Sequence, residues 1–405
     1  MKRFQHYATK QLWCLVLIFV SGVLLLYMLS ISGVLDAMRD DHTLDALYQQ
    51  PGKFPKPPPL MQQPHQHRGF PAMTTASGDV INGAQERRLQ QLKAMAMLVR
   101  QDIKQNHVAP VTTEANTKTS SIPHVLHQTW DSFDVPKSFV KGIQSFSKLH
   151  PQWEYWFWTP KAVLCFLKQR FPQFSELFKS YPDATSKADA LRYFILYTFG
   201  GVYADIDSVF LKPLDMWTRK YCCLLSEEPY EHSYIVRQSN VSNIVNSPMA
   251  CQAHHPLFHM AFSGLPQAAA TYFGDYIQST GPAYLERVYE QYVKNNSNSS
   301  SGSSCVPVLA PPKYFLPRYD PSQSEIIESR CSVRSYKTLN AKQQRACERV
   351  VKKEYKNEVD VDSYMDHMWI HVSLLGSDWK RKNTVKLHDV MPSAKIMETQ
   401  FCNDS

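Results

Sequence analysis

The chain has 405 residues, 43% hydrophobic and 12% aromatic, and 44 Lys and Arg against 36 Asp and Glu give a net charge of +8. The length leaves room for a sizeable core. The basic residues are scattered among acids, leaning positive only at Lys337 to Lys356 and Lys380 to Lys386; without a recognition fold or basic-aromatic groove this is a solvated surface rather than a nucleic-acid site, while phosphate-bearing substrates stay compatible.

No charged residue occurs from Leu12 to Leu35, a run longer than the ~20 residues a helix needs to cross a bilayer. Lys2, Arg3 and Lys10 precede it and Asp36, Asp40 and Asp41 follow. The positive-inside bias then makes residues 1–11 a cytoplasmic tail, 12–35 a type II signal anchor and the remainder lumenal. A cleaved signal peptide fits less well, because its apolar region spans only ~7–15 residues. Setting aside Cys14 in the apolar run leaves Cys165, Cys222, Cys223, Cys251, Cys305, Cys331, Cys347 and Cys402, an even set suited to disulfides of unreadable pairing. Spacing of the zinc type, with paired C-x-x-C ligands, is absent. Asn240, Asn295, Asn298 and Asn403 open N-x-S sequons, which are surface glycosylation sites if the chain is lumenal.

Residues 36–121 change to Pro, Gln, His, Thr and Met, and Pro55, Pro57, Pro58 and Pro59 forbid regular structure there. This segment reads as a largely disordered stem. Near 86–104, Leu89, Leu92, Ala96, Val99 and Ile103 recur at helical spacing, predicting a short amphipathic helix on the stem. It offers a face for pairing two stems into a homodimer, yet falls short of the ~3–4 heptads that mark a coiled coil.

A single domain is expected over 122–395, with 396–405 as a tail. His124 to Trp130 reads as a strand, Ser138 to His150 as a helix, and Trp153 to Trp158 as an aromatic strand. Strands alternating with helices imply an α/β domain with a largely parallel sheet and ligands beyond the strands' carboxyl ends. Asn295 to Ser304 is too polar to join a core and reads as a surface loop.

The segment TSKADALRYFILYTFGGVYADIDSVFLKPLD, Thr185 to Asp215, carries the chemistry. Thr185 or Ser186 is the expected helix cap, Gly200 and Gly201 stop the helix, and Val202 starts a strand. On an extended backbone Asp205 and Asp207 share one face while Ile206 turns inward. Two such carboxylates suit Mn2+ or Mg2+, which leave positions open for substrate phosphates. Asp360 and Asp362 repeat the spacing in a polar run and read as surface. Asp189 and Arg192, three apart, share a face of an otherwise apolar helix, where a buried ion pair is costly unless it meets a ligand.

The string from Asp189 to Asp207 resembles the sugar-donor motif of the DXD-containing glycosyltransferases of family 32, which include inositol-phosphoceramide and initiating α-1,6-mannosyltransferases and are related to α-1,4-galactosyltransferases. IPHVLHQTW at Ile122 to Trp130, HPQWEYWFWT at His150 to Thr159, Asn246 to Pro256, the Thr280-Gly281-Pro282 turn and WIHVSLLGSDW at Trp369 to Trp379 extend the resemblance. It implies a GT-A-like (Rossmann-type) fold, Mn2+ dependence, a Golgi membrane location and retaining transfer of a hexose, mannose first, from a nucleotide sugar to a glycolipid (including sphingolipid) or glycan acceptor. Galactose and N-acetylglucosamine are the alternatives. By the same resemblance Asp205 and Asp207 hold metal and diphosphate, with His371 as a further ligand. Asp189 and Arg192 hold the donor sugar, Gln128, Thr129 and Trp130 the nucleotide, Gly201 and Tyr203 line the substrate, and Ser377 and Trp379 close over the diphosphate. His371, Trp379 and Trp130 have core packing as the competing reading.

Two other classes stand beside this one. D-I-D-S-V also fits the start of haloacid-dehalogenase-like phosphatases, although those place the Asp after the first strand of their domain. A catalytically silent glycan-binding protein would keep the fold without transfer.

Overall fold

The computed structural model describes residues 83–105, 122–296, 305–370 and 383–402. The apolar run 12–35, most of the stem, and His371, Ser377 and Trp379 lie outside the described residues. Among the described residues no helix is long and apolar enough to cross a membrane.

The strands are β1 (Val125–Thr129), β2 (Asp134–Pro136), β3 (Glu154–Trp158), β4 (Gly201–Tyr203), β5 (Ser208–Phe210), β6 (Cys223–Glu227), β7 (Ile244–Cys251), β8 (Val308–Ala310), β9 (Met365–His367), β10 (Thr384–Lys386) and β11 (Lys395–Ile396). Seven form one sheet in the order β11-β3-β1-β4-β7-β6-β8. Within it β7 runs antiparallel to both β4 and β6, whereas the other pairings are parallel. The expected largely parallel α/β sheet is present, with β7 as its reversed member. Short antiparallel ribbons join β2 to β10 and β5 to β9.

Because side chains alternate across a strand, the sheet feeds two cores. Tyr203, Leu225, Met249 and Cys251 face one core with the helices Ala184–Phe199 and Pro256–Thr271. Val202, Leu224 and Ala250 face the other, filled by Phe139, Ile143 and Phe146. The eight residues of β7 are all buried, as expected of a strand covered on both faces.

Three expectations change. The Ala184–Phe199 helix is capped by Asp183, whose carboxylate accepts from the Ser186 N–H at 2.7 Å. Asp183 stands extended after Pro182, as a cap must, so Thr185 and Ser186 fall inside the first turn. The amphipathic stem segment forms the helix Gly83–Gln105, and its Leu92 and Ala96 are buried, Leu92 in the first core. The folded unit therefore begins before residue 122. The expected tail 396–405 instead contributes β11 beside β3 and the helix Met397–Phe401, with Met397 buried and Phe401 stacked on Trp158.

Disulfides join Cys165 to Cys402, Cys222 to Cys305, Cys223 to Cys251 and Cys331 to Cys347. Asn240 and Asn295 are exposed, while Asn298 and Asn403 lie outside the described residues.

Candidate active site

β4 ends at Tyr203, so Asp205 and Asp207 do not ride an extended strand. They occupy the turn between β4 and β5, closed by the Ser208 N–H on the Asp205 carbonyl at 3.0 Å. Ile206 is buried, as its place between them suggested. The turn brings both carboxylates to one imidazole: His367 Nε2 lies 3.1 Å from Asp207 Oδ1 and 3.9 Å from Asp205 Oδ2.

The two acids differ in exposure. The Asp207 side chain is 7% exposed and its Oδ2 accepts the Ile370 N–H at 2.9 Å. Burial pushes its carboxyl up, but His367 and that N–H outweigh burial and hold it below the usual range. His367 responds in mirror image: burial disfavours its charge, yet Asp207 and Asp205 raise it above the usual imidazole value. Asp205 is 34% exposed. Its Oδ1 meets Arg192 Nη2 at 3.3 Å and accepts the Tyr203 hydroxyl at 3.2 Å, leaving Oδ2 the more open oxygen.

Asp189 and Arg192 come together as their spacing suggested. Arg192 Nη2 is 2.9 Å from Asp189 Oδ1, and both side chains are almost fully buried. Asn246, early in β7, completes the group: its amide donates to Asp189 Oδ1 at 2.9 Å and its carbonyl accepts Arg192 Nη1 at 2.7 Å. The guanidinium lies 4.4 Å over the Tyr203 ring. Burial pushes the Asp189 carboxyl up to about 6, with Arg192 pulling against it. Burial also opposes the Arg192 charge, but Tyr203, Asp205 and Asp189 more than offset that and keep it protonated. The Thr280 hydroxyl reaches Asp189 Oδ2 at 3.5 Å, and the Tyr193 hydroxyl donates to the Thr280 carbonyl at 2.6 Å. That turn is tied to the site.

The residues expected at the nucleotide also bond within the protein frame. Gln128 is buried, accepts the Tyr155 hydroxyl at 2.8 Å and donates to the Asp205 carbonyl at 3.0 Å. Thr129 donates to the Trp158 carbonyl at 2.9 Å. Trp130 packs edge-on against Phe139. Gly201 has φ +95°, and a Cβ there would meet the Val125 carbonyl oxygen at 2.7 Å; it lets β4 lie close to β1. Tyr203 is fully buried beneath Arg192, so it supports the cation from below. Asp360 pairs with Lys353 at 2.8 Å on the surface, and Asp362 is exposed.

His367 is the member that sequence reasoning missed. Its signal lay in the tract MDHMWIH, which offers two histidines four apart; the antiparallel pairing of β9 with β5 sets His367 opposite Ser208, beside the acid pair. Asp205 and Asp207 bring hard oxygen donors together at one turn, a set that fits a divalent cation. A second convergence, Cys223, Cys251 and His255, does not, because its two sulfurs are joined to each other and supply no thiolate.

Residues 136–224, which include Asp189, Arg192, Asp205 and Asp207, match the family model described as glycosyltransferase sugar-binding region containing DXD motif. A mannosyl phosphorylinositol ceramide synthase of Saccharomyces cerevisiae is 32% identical over 48% of this chain and 49% of its own. Inositol phosphoceramide mannosyltransferase 2 of Schizosaccharomyces pombe is 32% identical over 44% and 49%. An initiation-specific alpha-1,6-mannosyltransferase of Candida albicans is 34% identical over 25% and 28%. The chain thus spans about half the length of the first of these relatives. The solved PaToxG glycosyltransferase superposes with a TM-score of 0.33 at 12% identity, covering 76% of this chain and 96% of that one.

Proposed function

We propose, for a chain whose residues 136–224 match a DXD-containing sugar-binding region, a metal-dependent hexosyltransferase that moves mannose from a nucleotide sugar to a glycolipid or glycan acceptor with retention at the anomeric carbon. The observation that carries this reading is the joining of two pairs: Asp189 and Arg192 on the helix reach Asp205 on the turn through one guanidinium, at 2.9 and 3.3 Å. Mannose is preferred because the relatives are named as mannosyltransferases.

Asp205 and Asp207 would hold Mn2+ or Mg2+, which when bound neutralises charge on the departing diphosphate. Arg192 sits behind Asp205, fixed on three sides, and orients that carboxylate without moving. Asp189 keeps an oxygen for a sugar hydroxyl beside Thr280.

Retention requires either an enzyme nucleophile or attack from the leaving-group face. Asp189 accepts two donors on one oxygen and is hemmed in by Arg192, a poor setting for a nucleophile. We therefore favour the second route. The acceptor oxygen bonds to the anomeric carbon as the carbon–phosphate oxygen bond breaks, and the hydroxyl proton passes to the departing diphosphate. The uncharged run 12–35, the sequons and the disulfides support a type II Golgi protein with this domain in the lumen.

The test is transfer by the detergent-solubilised full chain, given Mn2+ and a panel of sugar nucleotides. GDP-mannose should be consumed; consumption of UDP-galactose or UDP-N-acetylglucosamine instead would overturn the choice of sugar. Asp205→Asn and Asp207→Asn should each lower transfer by at least about 100-fold with the circular dichroism spectrum intact. Undiminished transfer would reject the site.

A further inference from the structure

We infer that His367 is a positioning residue: it holds Asp207 by a donated N–H and does not itself ligate the ion. This rests on the metal reading of Asp205 and Asp207. An imidazole offers a metal only a nitrogen without hydrogen, and the partner of the other nitrogen decides which one that is. At His367 the Nδ1 position is taken. The main-chain N–H of Trp369 points into it at 3.2 Å, and a main-chain N–H can only donate. Nδ1 must therefore accept, and in the neutral ring the hydrogen belongs to Nε2. Nε2 is the atom aimed at Asp207 Oδ1.

Among the described residues nothing around the ring favours the reverse arrangement. Freeing Nε2 would put a hydrogen on Nδ1 facing the Trp369 N–H, and would leave Nε2 and the Asp207 carboxylate as two acceptors 3.1 Å apart. Trp369 is held where it is. It adopts φ +56°, a left-handed conformation that a bulky residue keeps only when its surroundings enforce it. Its indole N–H donates to the Arg318 carbonyl at 3.0 Å, and Arg318 forks onto Asp366 at 2.8 and 2.6 Å. Its ring meets His367 edge-on at 4.6 Å and His232 at 4.9 Å.

Asp207 is then gripped at both oxygens, Oδ1 by His367 and Oδ2 by the Ile370 N–H at 2.9 Å. Each carboxylate oxygen keeps a further lone pair, so the grip fixes the direction in which Asp207 presents itself and leaves it able to bind. Asp205, held at Oδ1 by Arg192 and Tyr203, presents its more open Oδ2 beside it.

The experiment is Mn2+ binding to the full chain, read by titration and by the nitrogen couplings in the pulsed electron paramagnetic resonance spectrum. His367→Gln keeps an N–H near the Nε2 position, whereas His367→Ala removes it. The expected Mn2+ affinity is within about threefold of the native chain for His367→Gln and weaker by about 10–100-fold for His367→Ala, with nitrogen couplings the same in the native chain and His367→Gln. A native spectrum without nitrogen coupling supports the assignment without reference to either variant. Couplings lost in His367→Gln would overturn it while leaving the Asp205–Asp207 metal site standing. Failure of the native chain to bind Mn2+ would overturn both.

Discussion

Arg192 divides one positive charge between Asp189 at 2.9 Å and Asp205 at 3.3 Å, and burial, against the pull of Arg192, raises the Asp189 carboxyl to about 6. Removing one partner of a buried pair leaves an uncompensated charge, at a cost of about 3–5 kcal/mol. Arg192→Met should therefore lower unfolding free energy by about 3 kcal/mol in urea titrations. Adding Asp189→Asn should restore at least about 1 kcal/mol, since only the partly exposed Asp205 then lacks the guanidinium and no deeply buried lone charge remains, yet transfer should stay absent in both variants. A double variant as unstable as the single would show that packing, not charge, sets the cost. His127 gives the pH dependence. Its Nδ1 accepts the Trp158 indole N–H at 3.2 Å and its Nε2 donates to the Gly200 carbonyl at 2.9 Å, and burial lowers its pKa to about 4. The folded protein thus disfavours the charged ring. Stability from this residue is complete above pH 6.5, falls as pH drops, and is down by about 3 kcal/mol near pH 4; His127→Gln should flatten that limb of urea-derived stability against pH. The Asp189–Arg192 pair was readable because i,i+3 spacing on an apolar helix has few solutions. Asn246 and His367 were not, since their partners lie 57 and 160 or more residues away and only strand pairing brings them near.

The Gly200–Gly201 break does more than end a helix. Gly200 sits at φ +64° with the Ala253 nitrogen 2.6 Å from where a Cβ would stand, and Gly201 at φ +95° abuts the Val125 carbonyl. Both residues let β4 slot between β1 and β7, and the sequence revealed the break without revealing that closeness. Gly201→Ala should cost at least about 2 kcal/mol in unfolding free energy, from conformation and contact together. It should also reduce transfer, because Asp205 hangs directly beyond β4; a stable, fully active variant would mean the strand can shift without disturbing the turn. The same stretch explains the misread geometry of the acid pair. Alternation predicts a shared face only while the chain stays extended, and β4 stops after three residues. A hydrophobic pattern gives no warning of that, because Val202, Ala204 and Ile206 keep the alternation going into the turn.

At the scale of the whole chain, the sheet is closed by its last residues. β11 pairs with β3, Phe401 stacks on Trp158, and Cys402 bonds to Cys165 across 237 positions. The sequence hid this, because the apolar residues of Ser393 to Ser405 are too few in a row to mark a long buried element; β11, buried Met397, the Phe401 ring and a disulfide hold it instead. In the chain-entropy account a cross-link gains with the length of loop it closes, giving about 5 kcal/mol for such a span and about 3 for the 16-residue separation of Cys331 and Cys347. The other three bonds, Cys222–Cys305, Cys223–Cys251 and Cys331–Cys347, lie inside the larger loop and shorten it, so the real difference should be smaller. Paired substitution of Cys165 and Cys402 by Ser should still lower the urea midpoint more than the same change at Cys331 and Cys347. The two losses should differ in consequence as well as size. Releasing the C-terminus frees β11 from the edge beside β3 and β1, whose Gln128 holds the Asp205 carbonyl, so Mn2+ binding should weaken. Cys331–Cys347 staples a separate cluster around Ile327 and Val350, and its loss should leave Mn2+ affinity unchanged; equal weakening by both would mean the cluster and the acid pair are coupled after all.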